Sequence, residues 1–445
     1  MRSLLLGANV TDRRFLRYFL VFLLVVACAV GGVFLAKAWR ARSKRLSLYA
    51  AAQPFFDANY YRTTYALGAL GDQQAFEHYM TQGYKDLRNP SADFDATFYE
   101  RLYLADYAGK VHGARQNPLR HYVRCGKAKG ALMHPKFIKK AVPLLNPKYY
   151  LCVAAIFRDE ARFLKEWIEY YLMMGVEHFY LTNHLSEDNY MEVLQPYIDK
   201  GLVTLRHETR ETTNDYYDWR HIQDDAYRFA LEETRTSAEW LLVVDTDEFI
   251  VPLKQDRFVD CLPAYDQFAS VGFHWKTFGA GGVTKIKRNE LLLEKLTKCA
   301  DQNDMVNNSI KSVFKPRYVR QAFSVCHCPR LLKGFLPVGA DKKAIPAGGR
   351  VEPVLHKVAR VYHYRLRDLK FCREIKVPRF GKFTDGSNKK VFEGLWSDLE
   401  HKDAMWSVCD DKTMMRFVPE LKRRMGLGQM SVSQDKVTRK QKAVA

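Results

Sequence analysis

The run Trp240-Leu241-Leu242-Val243-Val244 ends abruptly in Asp245-Thr246-Asp247-Glu248, and this junction limits the folds open to the chain. An unbroken apolar stretch suits a strand covered on both faces, as in a parallel sheet flanked by helices. Ligands of open α/β sheets sit beyond the carboxyl ends of such strands, so the carboxylates delivered there are candidate cleft residues. Asp245 and Asp247 point the same way if the strand persists and converge if the chain turns. Hard oxygen donors at this spacing suit Mg²⁺ or Mn²⁺ carrying a phosphorylated substrate. An Asp-x-Asp on its own reads more readily as an acidic solvated turn; the strand before it and its wider context reverse that reading.

The surrounding pattern is α/β. Leu151 to Ile156 reads as a buried strand, and Glu160 to Met174 has helical periodicity. After the Gly175 helix stop, His178 to Thr182 is a second strand, Leu202 to Leu205 a third, and His221 to Thr234 an amphipathic helix leading to the strand before Asp245. Strand and helix alternate, so the sheet is expected to be mainly parallel.

At 445 residues the chain exceeds one small core. Residues 18–36 are uncharged and apolar, long enough to cross a bilayer as a helix. The following Lys37-Ala38-Trp39-Arg40 is a poor signal-peptidase site, which favours a retained single-pass anchor over a cleaved leader. More basic residues follow the span than precede it, which leans towards a bacterial inner-membrane protein with a cytoplasmic body; a Golgi type II arrangement with a luminal body is the alternative. The formal net charge of +20 is spread along the chain and concentrated partly in the membrane flanks and the tail, so it fits anionic lipid or an anionic substrate and does not require nucleic acid. The nine cysteines show no Cys-x-x-Cys pair and read as buried thiols; Cys326-His327-Cys328 is a weak zinc signal.

An internal repeat follows the anchor. Phe56-Asp57-Ala58-Asn59-Tyr60-Tyr61 recurs as Phe94-Asp95-Ala96-Thr97-Phe98-Tyr99, and His78-Tyr79 with Gly83 recurs as His121-Tyr122 with Gly126. A unit of about 40 residues suits a helical pair, with the aromatics expected to pack inward. Similar repeats are familiar from bacterial glycan-synthesis proteins. The expected organisation is a basic tail at 1–17, the membrane helix at 18–36, aromatic helical repeats at 51–130, an α/β domain at 148–380 and a C-terminal extension with a basic tail at 381–445.

Phe157-Arg158-Asp159-Glu160, Leu164-Lys165-Glu166-Trp167-Ile168-Glu169-Tyr170 and Gly175-Val176-Glu177-His178-Phe179-Tyr180 form an ordered series with Asn183, Ser186 and Asp188, then Gln223 to Arg228 leading to Asp245-Thr246-Asp247-Glu248-Phe249. Trp275, Phe278-Gly279, Ile310-Lys311-Ser312, Lys315-Pro316, His327 and His363-Tyr364 continue it. The series resembles glycosyltransferase family 92 and its family-2-like relatives over roughly residues 150–380. Tyr171 stands where the family often has His, Arg158-Asp159 where Lys-Asn is usual, and Asn183 in place of an Asp near the nucleobase.

The resemblance implies a GT-A fold, a Rossmann-like nucleotide-diphospho-sugar transferase domain. It also implies inverting transfer of a sugar from a nucleotide-sugar donor, first of all a UDP-hexose, to a hydroxyl of a glycan or lipid-linked glycan. It assigns Mn²⁺ or Mg²⁺ to Asp247, with Asp245 orienting ribose or metal and His363 as a further metal or phosphate ligand ahead of His327. Arg158, Asp159, Glu160, Asn183, Asp188 and Asp245 are the implied donor contacts, with Arg365 and Lys376 as candidate phosphate ligands. No catalytic residue is identified; Glu248, Glu290 and Asp341 all stand as candidate bases. Two other readings compete: a noncatalytic glycan-binding or assembly protein with a degenerate transferase domain, and a metal-dependent phosphoesterase.

Overall fold

The computed structural model describes residues 47–104, 116–211, 216–320, 327–381 and 398–427; the candidate membrane span at 18–36 lies outside them. Among the described residues no helix is long and apolar enough to cross a membrane. The chain divides into two compact units, up to Phe137 and from Ile138.

The first unit contains the aromatic repeat. One copy pairs the helices Ala58–Thr64 and Asp72–His78, the other Ala96–Tyr103 and Pro118–His121. Each second helix runs on into a π-helical turn, Tyr79–Gly83 or Tyr122–Gly126. The repeated Asp caps the first helix, Asp57 accepting the Tyr60 N–H and Asp95 the Phe98 N–H. The buried Tyr61 hydroxyl bonds His78 Nδ1 at 3.0 Å, and Tyr99 bonds His121 Nδ1 at 2.8 Å. A Cβ on Gly83 would stand 1.9 Å from the Tyr61 hydroxyl, and one on Gly126 2.0 Å from that of Tyr99. The spaced Tyr, His and Gly of the repeat therefore encode one contact made twice: a hydroxyl passing over a turn that only glycine leaves open.

The second unit is built on a mixed sheet. Its strands are β1 (Tyr149–Phe157), β2 (His178–His184), β3 (Val203–Glu208), β4 (Ala238–Val243), β5 (Glu248–Pro252), β6 (Ser270–Thr277), β7 (Lys298–Cys299), β8 (Ile310–Phe314), β9 (Val338–Gly339), β10 (Ala359–His363) and β11 (Cys409–Asp410). The order is β3-β2-β1-β4-β8-β6-β10-β5, with β9 on β6 and a separate β7–β11 pair. Strands β1 to β4 pair in parallel, β8 lies antiparallel to both β4 and β6, and β10 is parallel to β6 but antiparallel to β5. The expectation of a mainly parallel sheet thus describes only one half. In that half the helices Ala161–Met173, Tyr190–Asp199 and Tyr216–Thr234 return the chain to the same edge; beyond Asp247 the links are loops and short helical turns, which permit antiparallel neighbours.

This topology collects several strand ends at one edge. Parallel pairing puts the exits of β1, β2 and β4 together, with Phe157 opposite Asn183 and Ala154 opposite Val243. Antiparallel pairing of β5 and β10 then sets His363 opposite Glu248. The helix Ala161–Met173 fixes the start of β5 from behind: Trp167 Nε1 and the Tyr171 hydroxyl both donate to the Glu248 carbonyl at 3.0 Å, and Tyr170 donates to that of Ile250 at 2.8 Å. Tyr171 is thereby a buried brace. Gly175, at φ +91°, ends this helix in a conformation an L side chain rarely adopts, with Val259 packed where a Cβ would be.

Candidate active site

Strand β4 stops at Val243 and β5 starts at Glu248, so Asp245 and Asp247 sit on a tight turn between two strands. The Glu248 N–H donates to the Asp245 carbonyl at 3.0 Å, and the Asp245 N–H donates back to Glu248 Oε2 at 2.8 Å. On the other side the Tyr364 N–H donates to the Asp247 carbonyl at 2.9 Å, tying the turn to the residue after β10.

Each carboxylate of the turn is paired with a lysine. Lys311, the charged residue of β8, has no exposed side-chain surface and lies 2.9 Å from Asp245 Oδ2 and 3.1 Å from Glu248 Oε2. Lys376, on the π-helical turn Cys372–Lys376, donates to Asp247 Oδ2 at 2.5 Å and to the Arg365 carbonyl at 2.7 Å. Burial alone pushes Asp247 up, but Lys376 and His363 outweigh it and hold the carboxyl well below its usual range. Asp245 is shifted down against burial mainly by Lys311, and since its side chain is 34% exposed the ion pair is the firmer cause. Glu248, wholly buried, moves the other way: burial pushes it up to about 8 despite Lys311. With no exposed surface it is a brace for the turn, with no access to an acceptor.

His363 Nε2 is 3.6 Å from Asp247 Oδ1, too long for a hydrogen bond, and its ring lies 4.5 Å from that of Trp275. Burial lowers the imidazole's pKa, opposed by the neighbouring Asp247. An imidazole nitrogen and a carboxylate oxygen are both groups that could hold a divalent cation. Among the described residues no group of three or more His, Cys, Asp or Glu could hold a metal ion. His327 also packs against Trp275, its ring 5.5 Å away, and its Nδ1 donates to the Ile310 carbonyl at 2.9 Å.

The implied donor contacts on the loops after β1 and β2 lie at the same edge, with most of their polar atoms bonded within the protein. Asp159, at φ +52°, donates its N–H to Ser186 Oγ and accepts the Glu187 N–H on Oδ1. Asp188 accepts the Ala161 N–H, while Asn183 accepts the Ser186 N–H and donates to the Tyr190 hydroxyl. These residues lock the loops after β1 and β2 to each other. Glu160 makes no helix cap; it is buried against Arg367 at 2.8 Å and Arg379 at 3.4 Å. Arg158 pairs with Asp159 at 3.6 Å and keeps part of its side chain exposed. Arg367, the buried link from Glu160 to the Thr246 carbonyl at 2.7 Å, is absent from the sequence candidates, and nothing local marks it. Lys311 stood in the resembling series as Ile310-Lys311-Ser312, with no role assigned to it.

Parallel strands deliver an acidic turn to the sheet edge, where an antiparallel extension brings in His363, and together they define a mixed α/β domain with a candidate site at that edge. The model of glycosyltransferase family 92 matches residues 147–394, more than half of the chain, and the chain belongs to that family. A family 92 protein of Ricinus communis is 25% identical over 197 residues, covering 43% of this chain and 33% of its own length. One from Oryza sativa subsp. japonica is 28% identical over 141 residues, covering 31% and 23%. These matches therefore span a third or less of those relatives. Among solved structures, S. aureus TarS 1-349 aligns at 11% identity over 57% of this chain and 72% of its own, with a TM-score of 0.27, too low to bear on fold or function.

Proposed function

We propose that this chain transfers a sugar from a nucleotide-sugar donor, a UDP-hexose in the first instance, to a hydroxyl of a glycan or lipid-linked glycan acceptor, with inversion. The observation that carries the reading is the turn Asp245–Asp247 held at the sheet edge between His363 and two buried lysines. The hard step in such a transfer is charge building on the departing diphosphate, and fixed charges in a partly buried site oppose that cost without reorganising. Asp247 and His363 would hold Mn²⁺ or Mg²⁺, which when bound supplies a Lewis acid for the diphosphate oxygens. Lys376 orients Asp247 by holding its second oxygen. Asp245, fixed by Lys311 and 3.3 Å from the Tyr227 hydroxyl, is the more exposed carboxylate and faces the ribose in this reading. Arg158 and Arg365 are the candidate phosphate contacts in this reading, while Asp159, Glu160, Asn183 and Asp188 shape the loops after β1 and β2. Attachment to a membrane through residues 18–36 belongs to the same proposal and is supported by the apolar run.

The Lys376 ammonium on Asp247 favours a second reading, in which fixed cations carry the diphosphate charge with no metal. One experiment separates the two: turnover of UDP-, GDP- and CMP-sugars by residues 46–445 with Mn²⁺ or with EDTA, beside Asp247→Ala. Metal-dependent turnover lost in the variant supports the first reading, and turnover persisting in EDTA the second. No turnover or binding of any donor overturns both and leaves a glycan-binding or assembly role.

A further inference from the structure

Residues 138–148 and 327–335 both belong to the second unit, and neither segment contains an Asp or Glu, while together they carry Lys139, Lys140, Lys148, Arg330 and Lys333. The first segment is a strap that leads into β1 and is pinned along its length. The Lys139 N–H donates to the Gly334 carbonyl and the Ala141 N–H to that of Gln267, both at 2.8 Å. Further on, the Val142 N–H donates to the Tyr318 hydroxyl at 2.9 Å and the Leu144 N–H to Glu239 Oε2 at 2.7 Å. Glu239 is itself buried and is paired with Lys315 at 2.6 Å and Arg317 at 3.0 Å, so its charge is neutralised inside the protein. The second segment is fastened to the same tyrosine: the Leu332 N–H donates to the Tyr318 carbonyl at 2.8 Å, and the Phe335 ring lies 4.5 Å from that of Tyr318.

The two pinned segments turn apolar side chains outward. Val142 is 66% exposed and Leu145 87%, with Leu332 on the neighbouring segment at 41%. Lys139, Lys140, Lys148 and Lys333 are exposed around them. Asp266, next to the Gln267 that receives the strap, lies 4.0 Å from Lys315. Protruding apolar tips among cations, on segments free of carboxylates, match the headgroup and acyl boundary of an anionic bilayer: the ammonium groups meet lipid phosphates while the tips leave water. Protein–protein interfaces are poor in lysine, which favours lipid as the occupant. The same chain carries the apolar run at 18–36, long enough to bring the body to a bilayer.

We propose that residues 138–148 and 327–335 form a face that docks on an anionic lipid surface, with Val142, Leu145 and Leu332 at the acyl boundary and Lys139, Lys140 and Lys333 on the lipid phosphates. The inference extends the membrane attachment proposed above and does not depend on the donor reading. The strap ends where β1 begins, at Tyr149, whereas the candidate site lies where β1 ends, at Phe157. Docking by the strap therefore leaves the site edge clear of lipid.

The test reconstitutes the full chain into vesicles of phosphatidylcholine alone or with phosphatidylglycerol added, recovers them by flotation and follows hydrogen exchange over 138–148 and 327–335. Exchange in both segments should slow about fivefold in the anionic vesicles and recover in high salt. The slowing should be lost in Lys140→Glu with Lys333→Glu and in Val142→Ser with Leu145→Ser, while exchange in β1 stays as in the parent. All four side chains are exposed, so β1 also serves as the check that the variants fold. Equal exchange in neutral and anionic vesicles overturns the proposal. So does protection that grows with protein density in neutral vesicles, which would assign the face to a second copy of the chain. Flotation without protection overturns docking alone; a chain that does not float overturns the attachment through 18–36 with it.

Discussion

Lys376 holds Oδ2 of Asp247 at 2.5 Å across 129 residues of chain, so the acidic turn is neutralised from a π-helical turn far downstream. Asp247→Asn should lower kcat/KM for donor turnover at least ~100-fold, the scale of losing a preorganised charge. It should also lower Tm, because Lys376 is left buried without a counter-ion. Adding Lys376→Met should restore much of the Tm and none of the turnover. Thermal melts and steady-state kinetics on the two variants check this; recovery of activity in the double variant would remove Asp247 from the chemistry.

Lys311 serves two carboxylates at once and has no exposed surface. Lys311→Met should cost about 3–5 kcal/mol, the scale of breaking a buried pair by removing one partner. Lys311→Met with Glu248→Leu should regain a substantial part, since the wholly buried carboxyl goes with it. Urea unfolding of the three proteins measures the difference, and a double variant no more stable than Lys311→Met would contradict the pairing.

At the end of β3, Glu208 is held at a pKa of about 2, chiefly by its hydrogen bonds with Arg210. The folded value lies below the ordinary 4.5, so the stabilisation is fully present above pH 4.5 and is lost as pH falls towards 2. Arg210 is half exposed, and screening reduces the contribution to about 1 kcal/mol. Glu208→Gln should lower Tm by a few degrees at pH 7 and match the parent near pH 2; a constant offset down to pH 2 would exclude this linkage.

Gly83→Ala should disrupt the first aromatic repeat, since its Cβ would stand 1.9 Å from the Tyr61 hydroxyl. Overpacking of this kind costs about 1–3 kcal/mol, and removing the hydroxyl in Tyr61→Phe should relieve part of it. Hydrogen exchange over residues 58–83 reports the loss, and unchanged protection in Gly83→Ala would show that the turn opens without strain.

Periodicity and apolar content were enough to read β1, β2, β4 and the helix Ala161–Met173 from the chain, because a strand buried on both faces and an amphipathic helix are written locally. Asp245 and Asp247 stood out for the same reason, as charge at the end of an apolar run. The antiparallel half was not legible: β8 and β10 are short, and their partners are set by loops that carry no period. Nor was the use made of Asn183, Asp159 and Asp188, whose bonds to neighbouring loops exist only once β1 and β2 are side by side. The sequence alone determined where buried strands deliver carboxylates and that the Phe-Asp, His-Tyr and Gly positions of the aromatic unit recur. Only the tertiary structure decided that Lys311, Lys376 and His363 meet those carboxylates. Neutralising a buried charge requires a partner within a few ångströms in space, and chain separation leaves no trace of that partner in local pattern.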